Sequence, residues 1–573
     1  MIYSWLCSSQ QRVFFDSTAP LACYSHATAL RNEPFSIQLA YRTDKETQFL
    51  LVSARAEVIG KQAPIAAYDV KNVPVIHASS AKVDVHNEER GPGLYPDMLV
   101  PRHAAPTIVK TKENKPHYYD AENRELLNAS CDSTKSVWFT FNEDGLPLEA
   151  GEYTLRLSIT SLANGEEMAA HEFTLTLVDA LLPKSDLIYT NWFHNDCLAD
   201  IYDLELYSDE YFAVFEKFVK NAARHGMSTL LLPTFTPPLD TMVGEVRKNV
   251  QLVKVTRKDG AYTFDMSLLD RYITIALDAG IELFEHTHMY SQWGATCAPA
   301  IYAWVDGEEK LIFGWHTKAD SEEYREFLSA YMKAFLEYAA CRGIDDKIVY
   351  HVSDEPHAYC EESYAAAANF FHSLVGDRPV MDALSHVEYY KKGLVRIPVA
   401  SICYANDFWE AKAPMLLYYT GGYYGSSTLE NCSNRLITTK PYRTRILGAH
   451  LYRYHALGFL HWGYNYYYDL LSHGLSDPKT DPCCFKQKPG ASYLVYPGEH
   501  REPYPTLREK LMCEAINDYR ALMLLESLAG REFTESLCDS FFGERMTDTT
   551  MPKDADNMLA FREKINAEIA ARL

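Results

Sequence analysis

The run Cys341-Arg-Gly-Ile-Asp-Asp-Lys-Ile-Val-Tyr-His-Val-Ser-Asp-Glu-Pro356 decides the fold. Ser321–Arg342 upstream has the apolar spacing of an amphipathic helix, and Gly343 follows it as a helix C-cap does. Lys347–Val352 is then a short apolar strand, and a polar, acidic loop follows it. The same punctuation recurs at Arg224-His-Gly226 and Asp278-Ala-Gly280. Working outward gives eight strand candidates: Leu187–Phe193, Ser228–Thr234, Ile281–His286, Lys347–Val352, Arg378–Asp382, Ile397–Ile402, Pro414–Tyr419 and Gly458–Gly463. Amphipathic stretches such as Glu210–His225 lie between them. Eight β–α units between residues 183 and 530 predict a catalytic (β/α)8 TIM barrel. A doubly wound open sheet would carry a glycine-rich loop after its first strand, and Asn191-Trp-Phe-His-Asn195 is not one.

Residues 1–182 read as an all-β sandwich. Phe35–Tyr41, Val137–Phe141, Leu148–Leu157 and Phe173–Val178 alternate in the period-2 manner of half-buried strands, with Leu181-Leu-Pro183 as the linker out. A helix from Thr506 to Leu528 closes the barrel, and residues 531–573 form a polar helical extension.

At 573 residues the chain is too long for one core, so several domains are expected. A net charge of -22 argues against nucleic acid or an anionic membrane surface as the main partner. Arg12 and Asp16 interrupt any secretory core, and no 18-residue apolar run predicts membrane insertion. The thirteen cysteines are odd in number and form no CxxC pair, which fits reduced thiols in the cytoplasm. Cys483-Cys484 lack further ligands. His286 and His288 have the i, i+2 spacing of a metal pair, but on the third strand rather than the first, so no metal or cofactor is expected. A homodimer is compatible with the sequence.

Forty Tyr and eight Trp are a generous supply of rings for stacking on sugars, although most such residues are core with a polar handle. In a barrel the C-terminal strand ends face the substrate. Here they offer Trp192, His194 and Asp196; Glu285, His288 and Trp293; His351, Asp354, Glu355 and His357; Tyr404 and Asn406; Tyr418 and Tyr419; and Trp462 and Asn465. Lys and Arg are nearly absent from these ends, which suits a neutral polyhydroxyl ligand better than a phosphorylated one. The expected sugar-binding residues are His194, Asp196, Trp293, His351, Tyr404, Tyr418, Tyr419, Trp462 and Asn465. A hydrogen-bonded structural pair is an alternative role for His194 and Asp196, and barrel core is one for Trp462.

Ser353-Asp354-Glu355-Pro356 ends the fourth strand, where many barrel glycosidases keep the general acid. Pro356 is expected to hold Glu355 extended. An acidic pair there also serves to cap a helix. A retaining glycosidase with an enzyme nucleophile needs a second carboxylate about 5 Å from the first, and an inverting one needs it about 6.5–9.5 Å away. The usual place, the end of the seventh strand, holds Tyr418-Tyr419-Thr420, and the next acid is Glu430. Asp354, adjacent on a strand, should point to the opposite face. Substrate-assisted catalysis removes the need: the 2-acetamido oxygen attacks the anomeric carbon, Glu355 is the acid, and Asp354 orients the acetamido N–H.

These residues make the chain similar to glycoside hydrolase family 123 and the related domain of unknown function 4091. The resemblance rests on Trp192-Phe-His-Asn-Asp-Cys197, Ser353-Asp-Glu-Pro356, Gly458-Phe-Leu-His-Trp-Gly-Tyr-Asn465, Tyr493-Leu-Val-Tyr-Pro-Gly498 and Glu514-Ala-Ile-Asn-Asp-Tyr519. It covers most of residues 185–525, and Pro92-Gly-Leu-Tyr-Pro-Asp97 is compatible with it. It implies a β-N-acetylgalactosaminidase acting on a glycan or glycoconjugate, with Asp354 and Glu355 in the roles above. Asn195 departs from the pattern, which has Thr or a similar small residue there. A hexosaminidase for another 2-acetamido sugar is the nearest alternative, and a non-catalytic carbohydrate-binding protein is one of another class.

Overall fold

The computed structural model describes the chain except residues 21–22, 79–83, 103–106, 111–115, 120–127, 420–430 and 485–487. The N-terminal region is two five-stranded sheets. One runs in the order Ile2–Ser8, Phe35–Thr43, Lys135–Phe141, Ile65–Val75, Gly93–Pro101; the other in the order His26–Leu30, Glu167–Val178, Gly151–Ser161, Phe49–Ile59, Asn128–Ser130. Strict alternation builds the second sheet: Tyr153, Leu155, Leu157 and Ile159 are buried while the residues between them are not. Their apolar side meets Leu39, Val137 and Phe139 of the first sheet in one shared core.

The following region is an eight-stranded, all-parallel, nearly closed barrel. Its strands, in chain order and in order around the barrel, are Ile188–Asn191, Thr229–Leu232, Leu283–His286, Ile348–Tyr350, Met381–Leu384, Ile397–Ser401, Leu416–Tyr418 and Gly458–His461. All eight expected strands are present, each shorter than its apolar run or, for the fifth, shifted toward the C-terminus. The eighth closes on the first, with Ile188 opposite Gly458. A Cβ on Gly458 would lie 2.0 Å from the Ile188 carbonyl oxygen, so only glycine admits this approach. Between the fourth and fifth strands the ladder thins to one bridge, Tyr350 to Val380, with the Tyr350 N–H donating to Pro379 O at 3.0 Å.

The regular alternation of a (β/α)8 barrel is met by the strands and only partly by the helices. Those after the fifth and sixth strands, Glu388–Lys391 and Ala405–Glu410, are one or two turns long. A four-stranded sheet (Lys254–Lys258, Ala261–Asp265, Ile301–Val305, Glu308–Phe313) is inserted after the second and third strands.

The helix Leu507–Ala529, N-capped by the Thr506 hydroxyl, locks sandwich to barrel. Its Arg508 pairs with Asp97 of the sandwich at 3.0 Å, both side chains being fully buried. Beyond residue 530 the chain forms helices Arg531–Phe542 and Ala555–Ala570. The second returns to the sandwich, where Arg562 pairs with Glu33 at 2.6 Å. Among the described residues no helix is long and apolar enough to cross a membrane.

Candidate active site

The C-terminal ends of the strands surround a cleft of roughly 700 Å³, open mouth included, lined among the described residues by Trp192, His194, Asp240, Trp293, Asp354, Glu355, Tyr418 and Trp462 together with Leu239, Gln292, Ala383 and Leu460. Six of the eleven residues singled out from the sequence meet here: His194, Trp293, Asp354, Glu355, Tyr418 and Trp462.

Asp354 and Glu355 lie beyond the fourth strand, which ends at Tyr350, so strand alternation does not separate them. The expected extended Glu355 is corrected: its φ is +39°, the left-handed region. Such a backbone ahead of proline costs about 1–3 kcal/mol, and it turns the second carboxylate into the cleft that Asp354 already faces. Ser353 anchors the bend, its hydroxyl donating to Ser291 O at 2.7 Å, and the Trp293 N–H donates to Asp354 O at 2.8 Å. The Tyr418 hydroxyl donates to Glu355 Oε1 at 2.8 Å.

Burial raises the pKa of Glu355, opposed by the Tyr418 hydrogen bond and by His357. Asp354 is raised well above the carboxylate range, first by burial and then by the charges of Glu355 and Asp382. The charge of Glu355 is among the causes that raise Asp354, so the two carboxyls titrate as an interacting pair.

His194 Nε2 donates to Trp462 O at 2.8 Å, while Nδ1 accepts from the Arg247 guanidinium at 3.1 Å. Burial and the Arg247 charge push its pKa down to about 3, so the ring is neutral. Asp196 lies outside the cleft lining, held by Arg247 at 2.9 and 3.0 Å. Arg247 comes from a loop rather than a strand end and does not line the cleft. Asn465 holds the backbone of His194 on both sides, accepting from its N–H at 2.8 Å and donating to its carbonyl at 3.1 Å. Tyr419 turns outward onto Phe459 and Met512. Tyr404 is half-buried near His386, away from the lining. Asn195 packs behind the site against Tyr211 and Tyr272, so its departure from the family pattern touches packing rather than the cleft. Glu430 is outside the described residues.

His351 is not in the cleft but beneath it, fully buried between Glu285 Oε2 at 2.9 Å and Asp382 Oδ1 at 3.2 Å. Its two carboxylate partners overcome burial and raise its pKa to about 9. His288, His351 and Asp382 bring one donor atom each within 4.8 Å of one another. The two imidazoles, however, are stacked 4.2 Å apart at 22°, so their in-plane lone pairs run side by side instead of converging. Both His351 nitrogens are also engaged, and a metal does not fit. His286 turns to Thr287 O and the Tyr331 hydroxyl.

The cleft residue that the strand ends did not reveal is Asp240, in the loop after the second strand. Its side chain accepts from the Tyr466 hydroxyl and its N–H donates to Gln292 Oε1 at 2.7 Å. Burial, opposed by Arg247, raises its pKa to about 6. Asp240 lies past Phe235, where the strand-end reading stops, and the Pro-Pro run at 237–238 is the signal of a return toward the barrel mouth.

The arrangement combines an interacting acid pair, a neutral imidazole, a third carboxylate and the indoles of Trp293 and Trp462, a set suited to cleaving a glycosidic bond. Residues 192–525 match the family model of the glycoside hydrolase 123 catalytic domain. A family 123 glycoside hydrolase from Clostridium perfringens, whose structure was analysed for glycolipid glycan hydrolysis, superposes with a TM-score of 0.72 at 13% identity, covering 99% of this chain and 97% of the other. That likeness is one of fold. A β-glucuronidase from Bacteroides uniformis (8% identity, 83% and 48% covered, TM-score 0.30) and a family 39 glycoside hydrolase from Bacteroides cellulosilyticus (10%, 82% and 80%, 0.31) superpose too loosely to carry an argument. No curated protein matches the chain.

Proposed function

The chain belongs to glycoside hydrolase family 123, and on that premise we propose that it is a retaining exo-glycosidase releasing terminal β-N-acetylgalactosamine from a glycan, such as that of a glycolipid, by substrate-assisted catalysis. The observation that carries the reading is the shared cleft of Asp354 and Glu355, with a tyrosine where a barrel glycosidase would place its nucleophile.

Glu355 protonates the leaving oxygen as the acetamido oxygen attacks the anomeric carbon. The C–O bond breaks and an oxazolinium forms. Asp354 accepts the acetamido N–H and balances the positive charge that develops. Glu355, now a carboxylate, takes a proton from the water that opens the oxazolinium, returning the β-anomer. Trp462 and Trp293 offer faces for the sugar, and His194 and Asp240 are hydroxyl partners. The catalytic unit is a (β/α)8 barrel spanning 183–530, flanked by the sandwich 1–182 and the extension 531–573. Thirteen cysteines with no disulfide among them support a cytoplasmic setting.

A second reading comes from Asp240. A third carboxylate in the cleft could attack the anomeric carbon itself, and the acetamido group would then be dispensable. Hydrolysis of aryl β-GalNAc but not aryl β-galactoside supports the proposal, and equal rates on both refute it. Asp240→Asn keeping turnover while Asp354→Asn loses it assigns Asp240 to binding. Binding of these glycosides without turnover would indicate a carbohydrate-binding protein.

A further inference from the structure

We propose that Glu285, His351 and Asp382 form a buried charge relay that positions Asp354 and sets a positive charge against the carboxylates around it. The inference deepens the proposed function and rests on its role for Asp354.

The three side chains come from consecutive barrel elements: Glu285 from the third strand, His351 just past the fourth, Asp382 from the fifth. All are buried. Both imidazole nitrogens face carboxylate oxygens, at 2.9 Å (Glu285) and 3.2 Å (Asp382), so the ring carries two N–H donors and a positive charge. A buried imidazole needs only one acceptor to fix a tautomer; two carboxylates with no water between them hold a cation.

The relay reaches the cleft from two sides. Trp192, a cleft wall, donates its indole N–H to the same Glu285 oxygen at 2.9 Å. Asp382 accepts the backbone N–H groups of Val352 at 3.1 Å and Ser353 at 3.3 Å, the two residues immediately before Asp354, and also the Tyr364 hydroxyl. A shift of Asp382 therefore moves the bend that carries both catalytic carboxyls.

The charge has a direction as well as a place. Asp354 faces the negative charges of Glu355, Asp382 and Asp240, and His351 opposes them with a positive one. His288, stacked on His351, is held neutral by burial and by His351 itself. Burial pushes Tyr364 upward, so it stays protonated against Asp382. Without the imidazolium, only carboxylate charges would act on Asp354, driving its pKa higher still and away from the charge that the oxazolinium needs.

The test uses the full-length chain, with kcat and KM measured against pH on whichever aryl glycoside the unaltered enzyme hydrolyses. His351→Gln, which keeps hydrogen-bonding groups and loses the charge, is expected to move the acidic limb of kcat/KM upward by about one pH unit or more. It should lower kcat at least about tenfold and leave KM within about threefold. Glu285→Gln is expected to move the alkaline limb downward, because His351 then loses its proton earlier. In an Asp354→Asn background His351→Gln should have little further effect. Unshifted pH profiles in either folded variant, or an undiminished loss in the Asp354→Asn background, overturn the proposal. Should the variants fail to fold, nitrogen-15 NMR of histidine-labelled unaltered protein decides: two protonated nitrogens on His351 at pH 7–8 are expected, and a neutral ring overturns the relay. If the enzyme hydrolyses plain glycosides as fast as 2-acetamido ones, the proposed function falls while this readout still stands.

Discussion

The Tyr418 hydroxyl donates to Glu355 Oε1 at 2.8 Å, spanning from the seventh barrel strand to the bend after the fourth. The strand end where a barrel glycosidase would carry a nucleophile thus serves the proposed acid instead. Because the bond favours the ionised carboxylate, it works against the burial that raises Glu355. Tyr418→Phe should therefore raise the pKa of Glu355 and move the alkaline limb of kcat/KM upward by up to about one unit. A pH–rate profile checks this, and an unmoved limb would mean that the bond does not tune the acid.

Glu355→Gln keeps the shape of the side chain and removes the proton. Activity on substrates with poor leaving groups should fall by about 10²–10⁴-fold, and by much less on activated aryl glycosides, which leave unaided. The ratio between leaving groups is the measurement; equal losses on both would move the acid elsewhere.

His351 has a folded-state pKa of about 9 against an ordinary 6.5. A raised value means that the folded protein holds this proton more tightly than the unfolded chain does. Its contribution to stability is then complete below about pH 6.5 and is lost as pH rises through 9. The melting temperature should drop by a few degrees between pH 7 and 10, and His351→Gln should flatten that part of the curve.

Asp97→Asn leaves the Arg508 guanidinium buried without its charge partner, since its remaining contacts are the carbonyls of Gly490, Tyr493 and Arg435 and the Tyr493 ring. Breaking a fully buried pair in this way costs about 3–5 kcal/mol. Chemical denaturation should show the loss, with the sandwich releasing from the barrel helix; a change below about 1 kcal/mol would contradict the strut.

Gly458→Ala forces the eighth strand away from the first, because the added carbon meets the Ile188 backbone. Overpacking of this kind costs about 1–3 kcal/mol or more when the obstacle is main chain. Thermal unfolding against the parent chain checks it.

The barrel strands were legible because each is a short apolar run ending in polar residues, and Gly343, Gly226 and Gly280 mark the entries to three of them. The acid pair was legible for the same reason: it follows a strand end. What escaped was loop geometry. Asp240 reaches the cleft with a φ of +48°, a conformation that no periodicity encodes. Arg247 comes to His194 from a loop far along the chain. Glu355 opposes its local pre-proline preference because the bend, held by Ser353 and Trp293, outweighs it. Asn465 and His351 were read as sugar contacts, yet their side chains spend their hydrogen bonds on His194 and on the carboxylates beneath.

Between the fourth and fifth strands, a carboxylate takes over from the missing ladder: Asp382 accepts the amides of Val352 and Ser353 where main-chain carbonyls would otherwise pair. One side chain is therefore both a rivet of the wall and a neighbour of the chemistry. Any exchange of loops around this barrel would have to keep the strand carrying Asp382 together with its neighbour. Amide exchange at Val352 and Ser353 would report on both jobs at once, as a spectroscopic window onto the catalytic floor that needs no substrate.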